Sequence, residues 1–168
     1  MPRRGEGVEQ LEFREFYRAS QRDCLRTVLA CVGDRQLAED LVAEAYARAW
    51  ASWAKVARHP APRAWIVRTA LNTRVSWWRR RRREIVVDGV PEAAAVEPPR
   101  GLDPGLLAAL RELPRRQREV IALRVFLDLD TRATAKALGI AEGTVTAHMS
   151  RAVTTLRAQW MTAEARGS

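Results

Sequence analysis

Lysine and histidine are almost missing from this 168-residue chain: Lys55 and Lys136 are its two lysines, His59 and His148 its two histidines. Cys24 and Cys31 are its only cysteines. No Cys-x-x-Cys and no His-x-x-x-His occurs, so no zinc-ligand spacing of the usual kind is present and no metal is expected. Seven residues apart in what reads as one helix, the cysteines would hold their alpha carbons about 10 Å apart, too far for a bridge, and both are expected as buried thiols. The nine glycines never gather into a phosphate-binding loop, no histidine stands beside a nucleophile motif, and the carboxylates scatter over helix faces. No enzyme, cofactor or small-molecule substrate is therefore expected. No apolar run approaches the ~18 residues of a membrane span, and the opening MPRRGEGVEQ leads into no apolar signal core, so a cytoplasmic protein without membrane insertion is expected. The alternation of a strand is absent as well.

What the chain does have is arginine. Arginine and lysine number 29 against 20 acids, a net charge of +9, and an excess of that size points to a polyanion, usually nucleic acid or an anionic membrane surface. The charge is concentrated. Residues 61–87 hold eight Arg and one Glu, net +7, whereas residues 11–60 hold eight basic and seven acidic residues. The preference for Arg over Lys and the abundant alanine are the bias of a GC-rich genome. With 47% hydrophobic residues the chain can fold, and its length suits one ordinary domain or two small helical ones.

Phe13, Phe16, Tyr17, Cys24, Leu25, Val28, Leu29 and Val32 recur at three and four, one face of an amphipathic helix ending near Gly33. Asp34 then reads as an N-cap. The next helix, Leu37 to about Val56, would turn Leu37, Leu41, Val42, Ala45, Tyr46, Ala49, Trp50 and Trp53 inward and leave an exposed side that starts acidic. His59-Pro60-Ala61-Pro62 breaks the pattern, and a third helix restarts at Arg63 and runs to about Glu84. Residues 88–104 carry four of the eight prolines and a net charge of −3 without periodicity, and read as a flexible acidic linker. The second half restarts at Leu106, with Pro114, Asp130 and Gly139 dividing it into four helices. The expected fold class is all-α: two small helical domains, 11–87 and 105–160, joined by the linker.

Two motifs suggest function. Thr131 to Arg157 reads as a helix-turn-helix, with a small Ala135 at the helix crossing, Gly139 as the left-handed turn residue, and Leu138, Ile140, Val145 and Met149 filling the joint. A helical hairpin serving only as core is the alternative, but Thr144, Thr146, His148, Ser150 and Arg151 suit base and phosphate contacts. The second motif is Trp77-Trp78-Arg79-Arg80-Arg81-Arg82-Arg83, on a helix that also carries Arg63, Arg68, Asn72 and Arg74. A solvated basic cap at a helix C-terminus is the bland account. Five consecutive arginines exceed what capping needs, and guanidinium groups beside aromatics can stack on unpaired bases while the charges hold phosphates. Trp77 and Trp78 remain open between that role and core packing.

In order along the chain, these pieces resemble the extracytoplasmic-function (ECF) sigma factors of the sigma-70 family, and within them the SigE-like actinobacterial group. The resemblance spans about Phe13 to Trp160. It is carried by Phe13-x-x-Phe16-Tyr17, by Gly33-Asp34-Arg35 with Ala38-Glu39-Asp40-Leu41-Val42-x-Glu44-Ala45-Tyr46-x-x-Ala49-Trp50, and by Ala64-Trp65-Ile66-x-Arg68-x-Ala70-x-Asn72. Leu113-Pro114-x-x-Gln117-Arg118-x-Val120-Ile121 and Ala137-Leu138-Gly139-Ile140-x-Glu142-Gly143-Thr144-Val145 continue it.

The resemblance implies a sigma region 2 that docks on core RNA polymerase and melts the minus-ten element, and a sigma region 4 that reads the minus-thirty-five element. Promoter DNA, duplex and melted, would then be the ligand, and such proteins often have an anti-sigma partner. On that basis Asp40 and Glu44 are expected at the polymerase, Asn72, Arg74, Trp77, Arg79, Arg80, Arg81, Arg82 and Arg83 at the minus-ten element with the loop Lys55 to Pro62 nearby, and Thr144, Thr146, His148 and Arg151 at the minus-thirty-five element. Two residues depart from the family pattern: Thr134 stands where an isoleucine is usual, and Ala141 replaces the usual Ser cap, a loss of roughly 0.5 to 2 kcal/mol. The rival reading, a stand-alone helix-turn-helix regulator, leaves the acidic helix and the aromatic-arginine helix without a role.

Overall fold

A computed structural model describes the backbone of residues 4–84 and 102–167, and the side chains of 5–74 and 102–167. Every described element is a helix: α1 Arg4–Val32, α2 Arg35–Ala51, α3 Trp53–Val56, α4 Pro62–Glu84, α5 Pro104–Arg111, α6 Arg115–Val125, α7 Thr131–Leu138 and α8 Glu142–Gly167. Trp77 and the run Arg79 to Arg83 fall on the backbone of the last turns of α4, but their side chains lie outside the described residues.

Local chemistry sets most boundaries. Gly33 adopts φ 74°, the left-handed conformation that ends a helix at least cost in glycine. Asp34 then accepts the Leu37 N–H at 2.9 Å and caps α2. The single helix expected over 37–56 is two, because at Ser52 the backbone leaves helical geometry and its N–H reaches back to the Arg48 and Ala49 carbonyls. His59 Nδ1 accepts the Ala61 N–H at 3.0 Å, and Pro62 opens α4 where a missing N–H costs nothing. The second half begins earlier than expected. Leu102 is buried and Asp103 accepts the Gly105 N–H at 3.0 Å, so α5 starts at Pro104 and the last residues of the expected linker belong to the fold.

In the first domain α2 and α4 pack on α1 around Cys24, Val28, Leu41, Val42, Tyr46, Val56, Ile66 and Val67. Phe13, Phe16, Tyr46, Trp50 and Trp53 form a ring cluster at one end, with Phe13 edge-on to Trp53 at 5.3 Å, a geometry worth roughly 0.5–1.5 kcal/mol beyond burial. The buried Tyr46 hydroxyl and Ser20 Oγ lie 2.7 Å apart, and Ser20 donates to the Phe16 carbonyl, so neither polar group is stranded. An ion pair between Asp23 and Arg63 ties α1 to α4.

The end of α1 departs from the one-faced helix that its periodicity predicts. Thr27, Val28, Leu29, Ala30 and Cys31 are consecutive, and each is at most 1% exposed. A helix buried on every face needs neighbours all round. Here α2 and α4 cover one side, and α5 and α6 of the second domain cover the other. One continuous core consequently runs from Cys24 to Ala152.

Both cysteines are buried free thiols. Burial holds the Cys24 thiol up at about 11 and the Cys31 thiol up at about 12, against an ordinary value of 9.0; burial likewise raises Tyr46. The unfolded chain therefore loses protons that the folded chain keeps, and stability falls as pH rises from 9 towards 11 to 12. Urea midpoints at pH 8 and pH 10.5 should show that fall, and Cys31→Ala should reduce it. Equal midpoints at the two pH values would contradict the buried-thiol account.

Candidate functional site

Three surfaces hold the residues that the sequence marks for function. On α2, Ala38, Leu41, Val42, Ala45, Tyr46 and Ala49 are buried, which leaves Asp40 and Glu44 exposed on the opposite face. Asp40 accepts from Gln36 at 3.0 Å, and Glu44 pairs with Arg48 at 3.0 Å, so part of the acidity is neutralised within the helix. Trp50 does not turn fully inward as expected: it is 44% exposed. At roughly 100° per residue it falls at the edge of the buried stripe. Its ring rests on Phe13 at 5.1 Å, and with Tyr17, Arg14 and Gln10 it lines an apolar groove of about 300 Å³. Helix periodicity gives no sign of this groove, although Phe13, Tyr17 and Trp50 all stand in the motifs of α1 and α2.

On α4, Asn72 is exposed and lines two crevices, one beside Arg48, Ser52, Trp65 and Thr69 and the other against α6 and α7. Arg74 is half-buried, and burial, followed by the nearby charges of Arg115 and Arg118, lowers its pKa. It faces the second domain.

In the second domain Val120, Ala135 and Val145 form a buried joint, with Leu138, Ile140 and Met149 packed on it. Gly139 closes α7 at φ 66°. Asp130 caps the start of α7 by accepting the Ala133 N–H at 2.7 Å. The buried Thr134 hydroxyl donates to the Asp130 carbonyl at 2.8 Å, which explains how a polar residue is tolerated there. Ala141 offers α8 only its carbonyl, at 3.1 Å from the Val145 N–H. Thr144, Thr146 and Arg151 are exposed, and Thr146 donates back to the Glu142 carbonyl at 3.2 Å. His148, expected with Thr144, Thr146 and Arg151 as a side chain free for base and phosphate contacts, differs from them. Three residues on from Val145, it sits about 60° away around the helix at roughly 100° per residue. It is half-buried, with Nδ1 buried and unpartnered.

The seam between the domains was not foreseen. Arg118 Nη1 donates to the Cys31 carbonyl at 3.0 Å, and Nη2 to the Leu113 carbonyl at 3.0 Å. Arg111 donates to the Gly33 carbonyl, and the Arg26 guanidinium lies 5.4 Å over the Phe126 ring. Glu119, 2% exposed, takes Arg115 at 2.8 Å and Arg116 at 2.9 Å. Beyond it, His59, Ala64, Trp65 and Arg68 face Asp130, Arg132 and Lys136 across a cavity of about 370 Å³. Gln117-Arg118 stands within a quoted motif, so the signal was present without its geometry.

Comparison with known proteins places two family patterns in sequence: sigma-70 region 2 matches residues 16–84 and sigma-70 region 4 matches residues 105–156. The RNA polymerase sigma-E factor of Streptomyces antibioticus is 36% identical over 152 residues, which is 89% of this chain and 84% of that protein. The ECF RNA polymerase sigma factor SigL of Mycobacterium tuberculosis is 36% identical over 140 residues, 79% of each. Among solved structures, the sigma factor RpoE of Bartonella quintana in complex with the anti-sigma factor NepR superposes with a TM-score of 0.76 at 27% identity, over 87% of this chain and 94% of that one.

The buried joint predicts its own failure. Ala135→Leu forces extra volume into the crossing of α7 and α8, and should lower stability by about 1–3 kcal/mol in urea titration. A midpoint within error of the parent chain would mean that the joint is not closely packed.

Proposed function

Because the chain belongs to the ECF type of sigma-70 RNA polymerase sigma factors, we propose a division of labour in which residues 11–87 dock on core polymerase and engage the minus-ten element, and residues 105–160, with 102–104 folded against them, read the minus-thirty-five element across what remains of the expected 88–104 linker. As a sigma factor it binds core RNA polymerase and promoter DNA and directs initiation. Polymerase performs the chemistry, and recognition is this chain's part; its place is the cytoplasm, where transcription occurs. The anti-sigma factor on the Bartonella quintana relative supports including a partner of that kind.

One observation carries the second-domain assignment: the joint of Val120, Ala135 and Val145 holds α8 so that Thr144, Thr146 and Arg151 stand outward at its start. That is the arrangement by which a recognition helix enters the major groove. Half-buried His148 contributes through the one edge it still presents. In the first domain the exposed carboxylates of Asp40 and Glu44 suit a basic docking partner, and the Trp50 groove at the C-terminal end of the same helix offers an apolar anchor. Asn72 and Arg74 on α4, with Trp77 and Arg79 to Arg83 further along it, are assigned to the melted minus-ten strand, and the segment Lys55 to Pro62, which runs from the end of α3 to the start of α4, to its displaced base.

Two experiments test these assignments. Asp40→Lys with Glu44→Lys should weaken core binding at least tenfold, a loss of about 1.4 kcal/mol, in a fluorescence titration; wild-type affinity in the doubly reversed chain removes the docking face. Arg151→Ala should be compared on promoters varied only at minus thirty-five. Loss of roughly 1 to 3 kcal/mol confined to one base pair means base reading, and a uniform loss means phosphate positioning. No loss of either kind takes Arg151 out of the site.

A further inference from the structure

Helix α4 contributes Ala64, Trp65 and Arg68, and α7 contributes Arg132, Ala133 and Lys136, to the cavity of about 370 Å³ in the domain seam, a size within the roughly 300–1,000 Å³ of small-molecule sites. Its lining divides by chemistry. Alanines and the half-buried Trp65 make the apolar part. Three cations, Arg68, Arg132 and Lys136, make most of the rest, and none of them has a carboxylate partner among the described residues. Asp130, the one acid of the lining, accepts the Ala133 N–H at 2.7 Å and is engaged in capping α7. His59 also lines the cavity. Its Nδ1 accepts the Ala61 N–H at 3.0 Å, so the neutral ring carries its proton on Nε2 and adds a donor.

We propose that this cavity binds a small phosphorylated compound of nucleotide size, with its phosphates among Arg68, Arg132 and Lys136 and its flat body against Trp65. Three cations gathered without a free acid repel one another. A phosphate group, with several acceptor oxygens and more than one negative charge, takes donors from both helices at once. All three cations are solvent-exposed, so the ligand's charge enters without being stripped of water. A bare anion leaves the apolar wall unused, and an uncharged ring leaves the cations crowded; a compound with both parts uses both. Because the two walls belong to different domains, the bound ligand ties α4 to α7 and stabilises the folded chain by mass action. The same phosphate chemistry occurs in promoter DNA, and His59 and Ala61 fall in the segment assigned above to the displaced base, so the test separates the two sources.

The test is isothermal titration of the full chain with ADP, inorganic pyrophosphate, adenosine and a short single-stranded DNA. ADP should bind once per chain, more tightly than pyrophosphate, and raise the melting temperature, while adenosine gives no saturable heat. Arg132→Gln with Lys136→Gln should weaken ADP by about tenfold or more. Arg18→Gln with Arg22→Gln removes the same charge from exposed positions of α1 outside the cavity and should leave ADP affinity unchanged. Trp65→Leu, checked for folding by its urea midpoint, should bring ADP down to the affinity of pyrophosphate; should that variant unfold, the α7 pair still decides. ADP without saturable binding, an equal loss in both double variants, adenosine or pyrophosphate binding as tightly as ADP, or binding of the single-stranded DNA alone overturns the proposal.

Discussion

The last two turns of α1 must be covered on every side, and much of the molecule answers to that requirement. Five consecutive buried residues cannot be satisfied by α2 and α4 lying on one side. The helix also ends without a basic residue in its last turn, leaving carbonyls at the negative end of its dipole exposed to whatever approaches. Arg111 and Arg118 arrive from the second domain to fill that place. Gly33 makes the approach possible, since a Cβ there would stand 3.0 Å from Arg111 Nε. The same glycine thus ends the helix and admits its neighbour.

Electrostatics pulls the other way. With 29 basic residues against 20 acids the chain has fewer carboxylates than cations to place where cations converge, and the seam uses one buried glutamate for two guanidinium groups. Exposed i,i+4 pairs such as Arg35 with Glu39 and Arg48 with Glu44 contribute little individually. The buried Glu119 matters more: removing one partner of a buried pair leaves an uncompensated charge. Apolar cover and like-charge crowding therefore meet along the same surface.

Much of this was legible in the sequence because it is local. Asp34, Gly33, Pro62, Pro114, Asp130 and Gly139 announce helix ends through their own backbone chemistry, and the joint residues Ala135, Leu138, Ile140, Val145 and Met149 follow from periodicity and size. The failures are of two kinds. Trp50 and His148 lie at the edges of buried stripes, where a one-residue rotation decides exposure and a pattern does not. The seam depends on contacts between residues more than 70 positions apart, such as Arg118 with Cys31, and no local pattern encodes which carbonyl an arginine will reach. The run from Val28 to Val32 was the available clue: an apolar stretch longer than one helix face requires.

The covered end of α1 also has a history in time. The ribosome delivers Val28 to Val32 roughly seventy residues before Leu102, the first residue of their cover, which at roughly 5–20 residues per second is on the order of 4 to 14 s. For that interval the nascent first domain can fold around α2 and α4 but presents a bare apolar helix end to the cell. Synthesis order thus makes the late-arriving domain a cap on an early-exposed surface, and a ribosome paused inside the proline-rich stretch would prolong the time that chaperones or proteases have to find it.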